Sequence, residues 1–181
     1  YYRRVPEGGR SRRRRFDEFL YPLDSLHDWN RIYGKRGFYQ FQCVVPDVTA
    51  PAALRALLET VSTSGGASFL AVLKTLGREG RGHLSFPQRG FTLALDFPRK
   101  SGTEELLRKL EWLTLSHGGR IYLAKDSVLG PDSFRGMYSN VSRFESVLAR
   151  VDPRGRFTSD QARRLGLKPH AIAAEAGGPQ L

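Results

Sequence analysis

The run Gly90-Phe91-Thr92-Leu93-Ala94-Leu95-Asp96-Phe97-Pro98 alternates bulky apolar residues with small or polar ones without a break. A period of two is the mark of a β-strand with one buried face. Phe91, Leu93, Leu95 and Phe97 therefore turn toward a core, and Thr92, Ala94 and Asp96 turn away from it. Pro98 has no amide hydrogen to give to a ladder and ends the strand.

Upstream, residues 77–89 read as a glycine-rich loop. Before it, Ser68 to Leu76 reads as a second strand, with Phe69, Ala71 and Leu73 on one face and Leu70, Val72 and Lys74 on the other. Residues 50–63 follow helical spacing, with Leu54, Leu57, Leu58 and Val61 in one apolar stripe. Thr49 is the candidate N-cap, Pro51 suits the first turn and Gly65-Gly66 stops the helix. The first strand, over Tyr39 to Val45, turns Tyr39, Phe41, Cys43 and Val45 to one side. Downstream, Ser101-Gly-Thr-Glu104 reads as a capping box that opens a helix running to about His117. Gly118-Gly119 ends it, and Arg120 to Ala124 reads as a short fourth strand. Two more helices are expected near 131–138 and 141–150, closed by Asp152-Pro153.

The order β-α-β-β-α-β predicts an α+β fold of ferredoxin-like type: an antiparallel sheet with both main helices on one face, plus extra helices. The opposite face would carry Gln40, Gln42, Leu70, Val72, Lys74, Thr92, Ala94 and Tyr122. That set is too apolar for water and too polar for a core, which is the character of a face that meets a ligand or a partner domain.

Bulk composition narrows the function. With 40% hydrophobic and 11% aromatic residues the chain can build a real core. No apolar run approaches the roughly 20 residues needed to span a bilayer. A single cysteine, Cys43, permits no internal disulfide, and the four histidines show no metal-ligand spacing, which argues against a metal centre. Cys43 reads as a small buried hydrophobe and His83 as a loop residue. The net charge of +11 is uneven, because residues 1–15 hold seven arginines against Glu7. A solvated arginine-rich lead is the simpler reading of Arg12 to Arg15, with an anionic partner as the alternative. Residues 1–38 are expected to be a lead-in packed on the domain edge, 39–168 the folded domain, and 169–181 a frayed tail. The opening at Tyr1 suggests a fragment of something longer.

Several phrases, in this order, resemble a known family: FYQFQCVVP, SFLAVLKTLG, LSFPQRGFTLALDFP, GGRIYLAKDS and VDPRGRFTSDQARRLGL, with FLYPLDSLHDWNRIYG before them. They are similar to the C-terminal substrate domain of the decaprenylphosphoryl-β-D-ribose oxidase family, FAD-linked oxidases of the vanillyl-alcohol-oxidase type. The resemblance implies that FAD is held mainly by an N-terminal domain upstream of this chain, and that the open sheet face roofs the flavin and the sugar. It implies hydride transfer from a secondary alcohol of a sugar or polyol to the flavin. It also implies partnership with that FAD domain, and is compatible with a lipid-phosphate-linked substrate and peripheral membrane association.

By the same resemblance Lys125 is the catalytic candidate and also reaches the substrate, and Tyr122 packs at the cofactor ring. Lys74, Gln40, Gln42, Val72, Thr92 and Ala94 line the substrate pocket. A lysine acting as base at neutral pH must have its pKa brought down from roughly 10.4 to near 7. A lysine that stays charged and stabilises a developing anion needs no such change, and this role is favoured. The chain departs from the family pattern at Ala94 (cysteine in the family's ribose oxidase), Thr92 (asparagine) and Leu20 (tyrosine). Losing a thiol, an amide and a phenol changes the polar contacts of the pocket, so another polyol is an alternative substrate. The rival function is a basic ferredoxin-like module binding RNA on the open face. Such a module wants aromatic residues on the central strands, where this face offers Tyr122 alone, so no nucleic-acid partner is expected.

Overall fold

A computed structural model of the chain describes residues 13, 15–21, 27–66, 68 and 70–167, with the side chains of residues 29 and 30 excepted. The central unit is a four-stranded antiparallel sheet in the order β2-β3-β1-β4, from β1 (Phe38–Pro46), β2 (Ala71–Leu76), β3 (Gly90–Pro98) and β4 (Arg120–Ile121). This is the ferredoxin-like order: each crossover helix returns the chain to a strand two places away, and a third strand fills the gap. β1 and β3 pair along their whole length, from Phe38 opposite Pro98 to Pro46 opposite Gly90.

Helices α2 (Ala50–Thr63) and α3 (Thr103–Ser116) pack on one face of the sheet and on each other. Leu57, Val61, Leu106, Leu107 and Leu110 meet Phe41, Cys43, Leu93, Leu95, Phe97 and Ile121 in one buried cluster. The alternation read at 90–98 thus defines the core face. α1 (Phe16–Leu20) precedes the sheet. α4 (Pro131–Met137), α5 (Val141–Val151) and a short α6 (Asp160–Arg164) follow it. No spacing argument anticipated α1 or α6. The frayed tail and Arg12 lie outside the described residues, as do Arg14, Ala67 and Phe69.

The structure corrects four local expectations. Thr49 does not cap α2 with its side chain. Its hydroxyl instead donates to the His117 carbonyl at 2.8 Å, tying the start of α2 to the end of α3. The capping box at Ser101 is not formed: Gly102, at φ 82°, is the N-cap of α3, and Glu104 accepts a hydrogen bond from the Tyr39 hydroxyl at 2.5 Å. The second strand begins at Ala71 rather than Ser68, and its Leu73 is 55% exposed although it points to the helical side. The reason is position: β2 is the sheet edge, whereas α2 lies over β1 and β3 and α3 over β1 and β4. Finally, the fourth strand stops at Ile121, and Leu123–Lys125 forms a 3₁₀ turn.

Candidate active-site face

Turning Cys43 and Ile121 into the core turns Gln42, Val44, Arg120 and Tyr122 to the other side of the sheet. The register then sets the rows. Val72 lies opposite Ala94, Ala94 opposite Gln42, and the Tyr122 amide donates to the Gln42 carbonyl at 2.8 Å. Val72, Ala94, Gln42 and Tyr122 thus form one line across all four strands. The adjacent row runs Lys74, Thr92, Val44, Arg120, and on the far side of the first Gln40 faces Asp96. Seven of the eight residues singled out from the sequence fall in three neighbouring rows. The eighth, Lys125, sits on the turn directly after Tyr122.

This face is less open than the alternation suggested. Thr92 is 1% and Gln42 9% exposed, and Val44 and Asp96 are also buried. Two segments cover them. From the 77–89 loop, Phe86 packs on Tyr122 in a tilted pair with ring centroids 4.6 Å apart, and Arg120 donates to the Ser85 carbonyl and to Glu79. From the lead-in, Tyr33 stacks on Phe38 at 4.3 Å and its hydroxyl donates to Asp96 at 3.3 Å. Tyr33 and Phe38 thus pack against the sheet face. Leu20, the third departure from the family pattern, is 59% exposed on α1.

Covering changes what each residue can present. The Gln42 amide donates to the Thr92 hydroxyl at 3.0 Å and the Gln40 amide to Asp96 at 3.2 Å. Both amides are held in one orientation by these bonds, leaving their carbonyl oxygens as acceptors. Thr92 is enclosed and acts through Gln42 rather than as an open contact. Val72, Ala94, Gln40, Tyr122 and Lys125 are half-buried and Lys74 is exposed. The ammonium groups of Lys74 and Lys125 have no hydrogen-bond or ion-pair partner among the described residues. A hollow of about 690 Å³ lies beside the face, lined by Leu84, Leu123, Phe144, Leu148, Phe157 and Leu165 among others.

Residues beyond the sequence-based set contribute. Asp96 was placed on this face by alternation but not counted as part of the site. Phe86 reaches it only through loop packing, which no local pattern signals, whereas Arg120 is placed there by its register opposite Val44. Asp126 and Arg164 form an ion pair at 2.7 Å beneath the Lys125 turn. Ser159 Oγ accepts the Ala162 amide and caps α6, a helix that the sequence reading did not anticipate.

The donor set suits a flat, electron-accepting ring: two unpaired ammoniums, a phenol backed by a second aromatic ring, and small aliphatic groups between them. Tyr122 and Lys125 would meet such a ring, with Gln40 and Gln42 offering acceptors to hydroxyl groups beside it.

Comparison with known proteins adds three likenesses. Residues 90–165 match the family model for D-arabinono-1,4-lactone oxidase. The chain is 41% identical over 150 residues to the decaprenylphosphoryl-β-D-ribose oxidase of Mycolicibacterium smegmatis, covering 83% of this chain and 32% of that protein. It is 43% identical over 115 residues to an uncharacterized protein in the mprA 5′ region of Streptomyces coelicolor, covering 63% of this chain and 31% of that protein. The chain thus spans about a third of the length of each of these relatives.

Proposed function

Because this chain belongs to the decaprenylphosphoryl-β-D-ribose oxidase family, we propose that it supplies the substrate side of an FAD-dependent oxidoreductase acting on a secondary alcohol of a sugar or polyol. The observation that carries the reading is the line Val72–Ala94–Gln42–Tyr122 with the unpaired Lys125 ammonium at its end. In this reading FAD is held mainly by sequence outside this chain, in keeping with its covering about a third of its relatives' length. A lipid-phosphate-linked substrate is supported by the name of the Mycolicibacterium relative, while Thr92, Ala94 and Leu20 make the sugar itself the point of difference.

FAD, when bound, accepts the hydride that leaves the carbinol carbon. The chain's own residues set up that event. The Gln40 and Gln42 carbonyl oxygens accept from sugar hydroxyls and orient the carbinol, their amides being tied down by Asp96 and Thr92. Val72 and Ala94 exclude water from the middle of the face. The carbinol proton passes to water at the rim of the face ahead of the hydride, and Lys125 keeps its own proton on Nζ and donates to the oxygen left with the negative charge, a contact stronger in the transition state than in the ground state. Lys74 adds a second cation in the adjacent row at the opposite, β2 edge of the sheet, suited to an anionic substituent of the substrate.

The test is single-turnover flavin reduction in the full-length protein, with a short-chain prenylphosphoryl-β-D-ribose and D-arabinono-1,4-lactone as alternative reductants. Lys125→Met should slow reduction about a hundredfold, the order expected for losing one well-placed electrostatic contact, and leave FAD bound. A fixed cation lowers the whole pH profile, whereas a base would remove a rising limb near neutrality. A mutant that reduces its flavin at the wild-type rate would make Lys125 an ordinary surface lysine.

A further inference from the structure

We infer that Arg164, together with Asp126 and Gln161, is a positioning group for Lys125, so that α6 holds the turn that aims the ammonium; the inference rests on the reading of Lys125 given above. The Leu123–Lys125 turn has little to hold it from within. Its own closing hydrogen bond is the Lys125 amide to the Tyr122 carbonyl at 2.9 Å. A single turn of this kind does not keep one geometry unaided.

The outside ties come from one short element. Asp126, immediately after Lys125, has a side chain only 2% exposed. One of its oxygens accepts the amides of Val128 and Leu129 at 3.0 and 2.8 Å, and the other accepts from Arg164 at 2.7 Å. Arg164 also donates to the Leu129 carbonyl at 2.6 Å, and Gln161 donates to the Leu123 carbonyl at 2.5 Å. Both ends of the turn are therefore gripped from α6. None of the residues of α6 is itself buried, and Leu165, 1% exposed, anchors it from just beyond its end.

An ion pair is a costly way to glue a helix down, because burying both charges offsets much of their attraction. It is a good way to fix a geometry. The Asp126 carboxylate is engaged on both oxygens, and the planar Arg164 fork sets its direction. A loosened turn displaces Lys125 by a fraction of its own length, and catalytic contacts are sensitive to shifts of about 1 Å.

The experiment is a double-mutant cycle in the full-length, flavin-loaded protein, read by single-turnover flavin reduction with the same two reductants. Arg164→Met should slow reduction about tenfold when Lys125 is present and less than twofold in the Lys125→Met background, because residues acting through one another are not additive. Arg164→Lys should recover only part of the rate. A second readout needs no turnover: after reductive methylation with ¹³C-formaldehyde, the dimethyl-Lys125 resonance should stand apart in the wild type and move to the free-lysine position in Arg164→Met. Equal slowing in both backgrounds, with an unmoved resonance, would leave Arg164 a merely structural residue and overturn the inference alone. No slowing in Lys125→Met would remove the role of Lys125 and, with it, the positioning role. If neither reductant is accepted, the substrate reading fails while the resonance still decides the positioning. Should Arg164→Met not fold, Gln161→Met removes one tie and carries the same cycle, with about a threefold effect expected.

Discussion

Cys43 and Thr92 stand on opposite faces of the sheet, and both are enclosed. Burial pushes the Cys43 thiol up to about 12, against the smaller opposing effect of a hydrogen bond with Thr114. Because the thiolate is the reactive form, a thiol-disulfide reagent at pH 8 should leave the native protein unlabelled and label one equivalent in denaturant. Labelling of the native protein at the denatured rate would mean that the β1–α3 packing opens freely. Cys43 was legible as a buried hydrophobe from its place in the alternation. The enclosure of Thr92 was not. A threonine on a non-core face reads as a surface contact, and only the loop and lead-in that fold over the sheet turn it into the acceptor that orients Gln42.

Gly90 joins the residue scale to the element scale. It opens β3 opposite Pro46 with φ 154°, and a β-carbon there would stand 2.0 Å from the Val45 carbonyl oxygen. The neighbour is backbone in the central strand and cannot give way. Gly90→Ala should therefore cost about 3 kcal/mol, read as a lower urea midpoint with the slope unchanged. A loss under about 0.5 kcal/mol would show that β1 and β3 separate there without penalty. The strands and α2 were legible because their periods of two and 3.6 are long enough to be unambiguous. β4 was harder. Two residues of ladder carry no period, and Tyr122-Leu123-Ala124-Lys125 reads as readily as a strand as it does as a 3₁₀ turn. What makes it a turn is the grip of α6, about forty residues further along.

At the scale of the molecule, the chain spans about a third of the length of its curated relatives, and Val72, Ala94, Gln40, Tyr122 and Lys125 remain half-buried on one sheet face. Among the described residues no glycine-rich strand-to-helix turn is arranged to hold a pyrophosphate. On the function proposed above, the chain by itself is expected to stay colourless when mixed with FAD and desalted, with affinity at least a hundredfold weaker than that of the full-length protein. Tight stoichiometric binding in a fluorescence titration would contradict the division of labour proposed above. Among the described residues the non-core face carries two aromatic pairs, Tyr122 with Phe86 after β4 and Tyr33 with Phe38 at the start of the central strand β1.

The sequence by itself determined the fold class, the strand order through its connections, the core face, and the set of side chains that share the opposite face. These follow from local periodicity and from the handedness of crossovers, which operate over a few residues or a single connection. The phrase GGRIYLAKDS also singled out Tyr122 and Lys125 by resemblance. Only the tertiary structure decided how exposed that face is, which amides are tied down, and what holds Lys125 in place. Each of those depends on contacts between segments far apart in the chain, such as Tyr33 with Asp96, Phe86 with Tyr122 and Arg164 with Asp126. Such contacts leave no period to read, because nothing in either partner's neighbourhood requires the other.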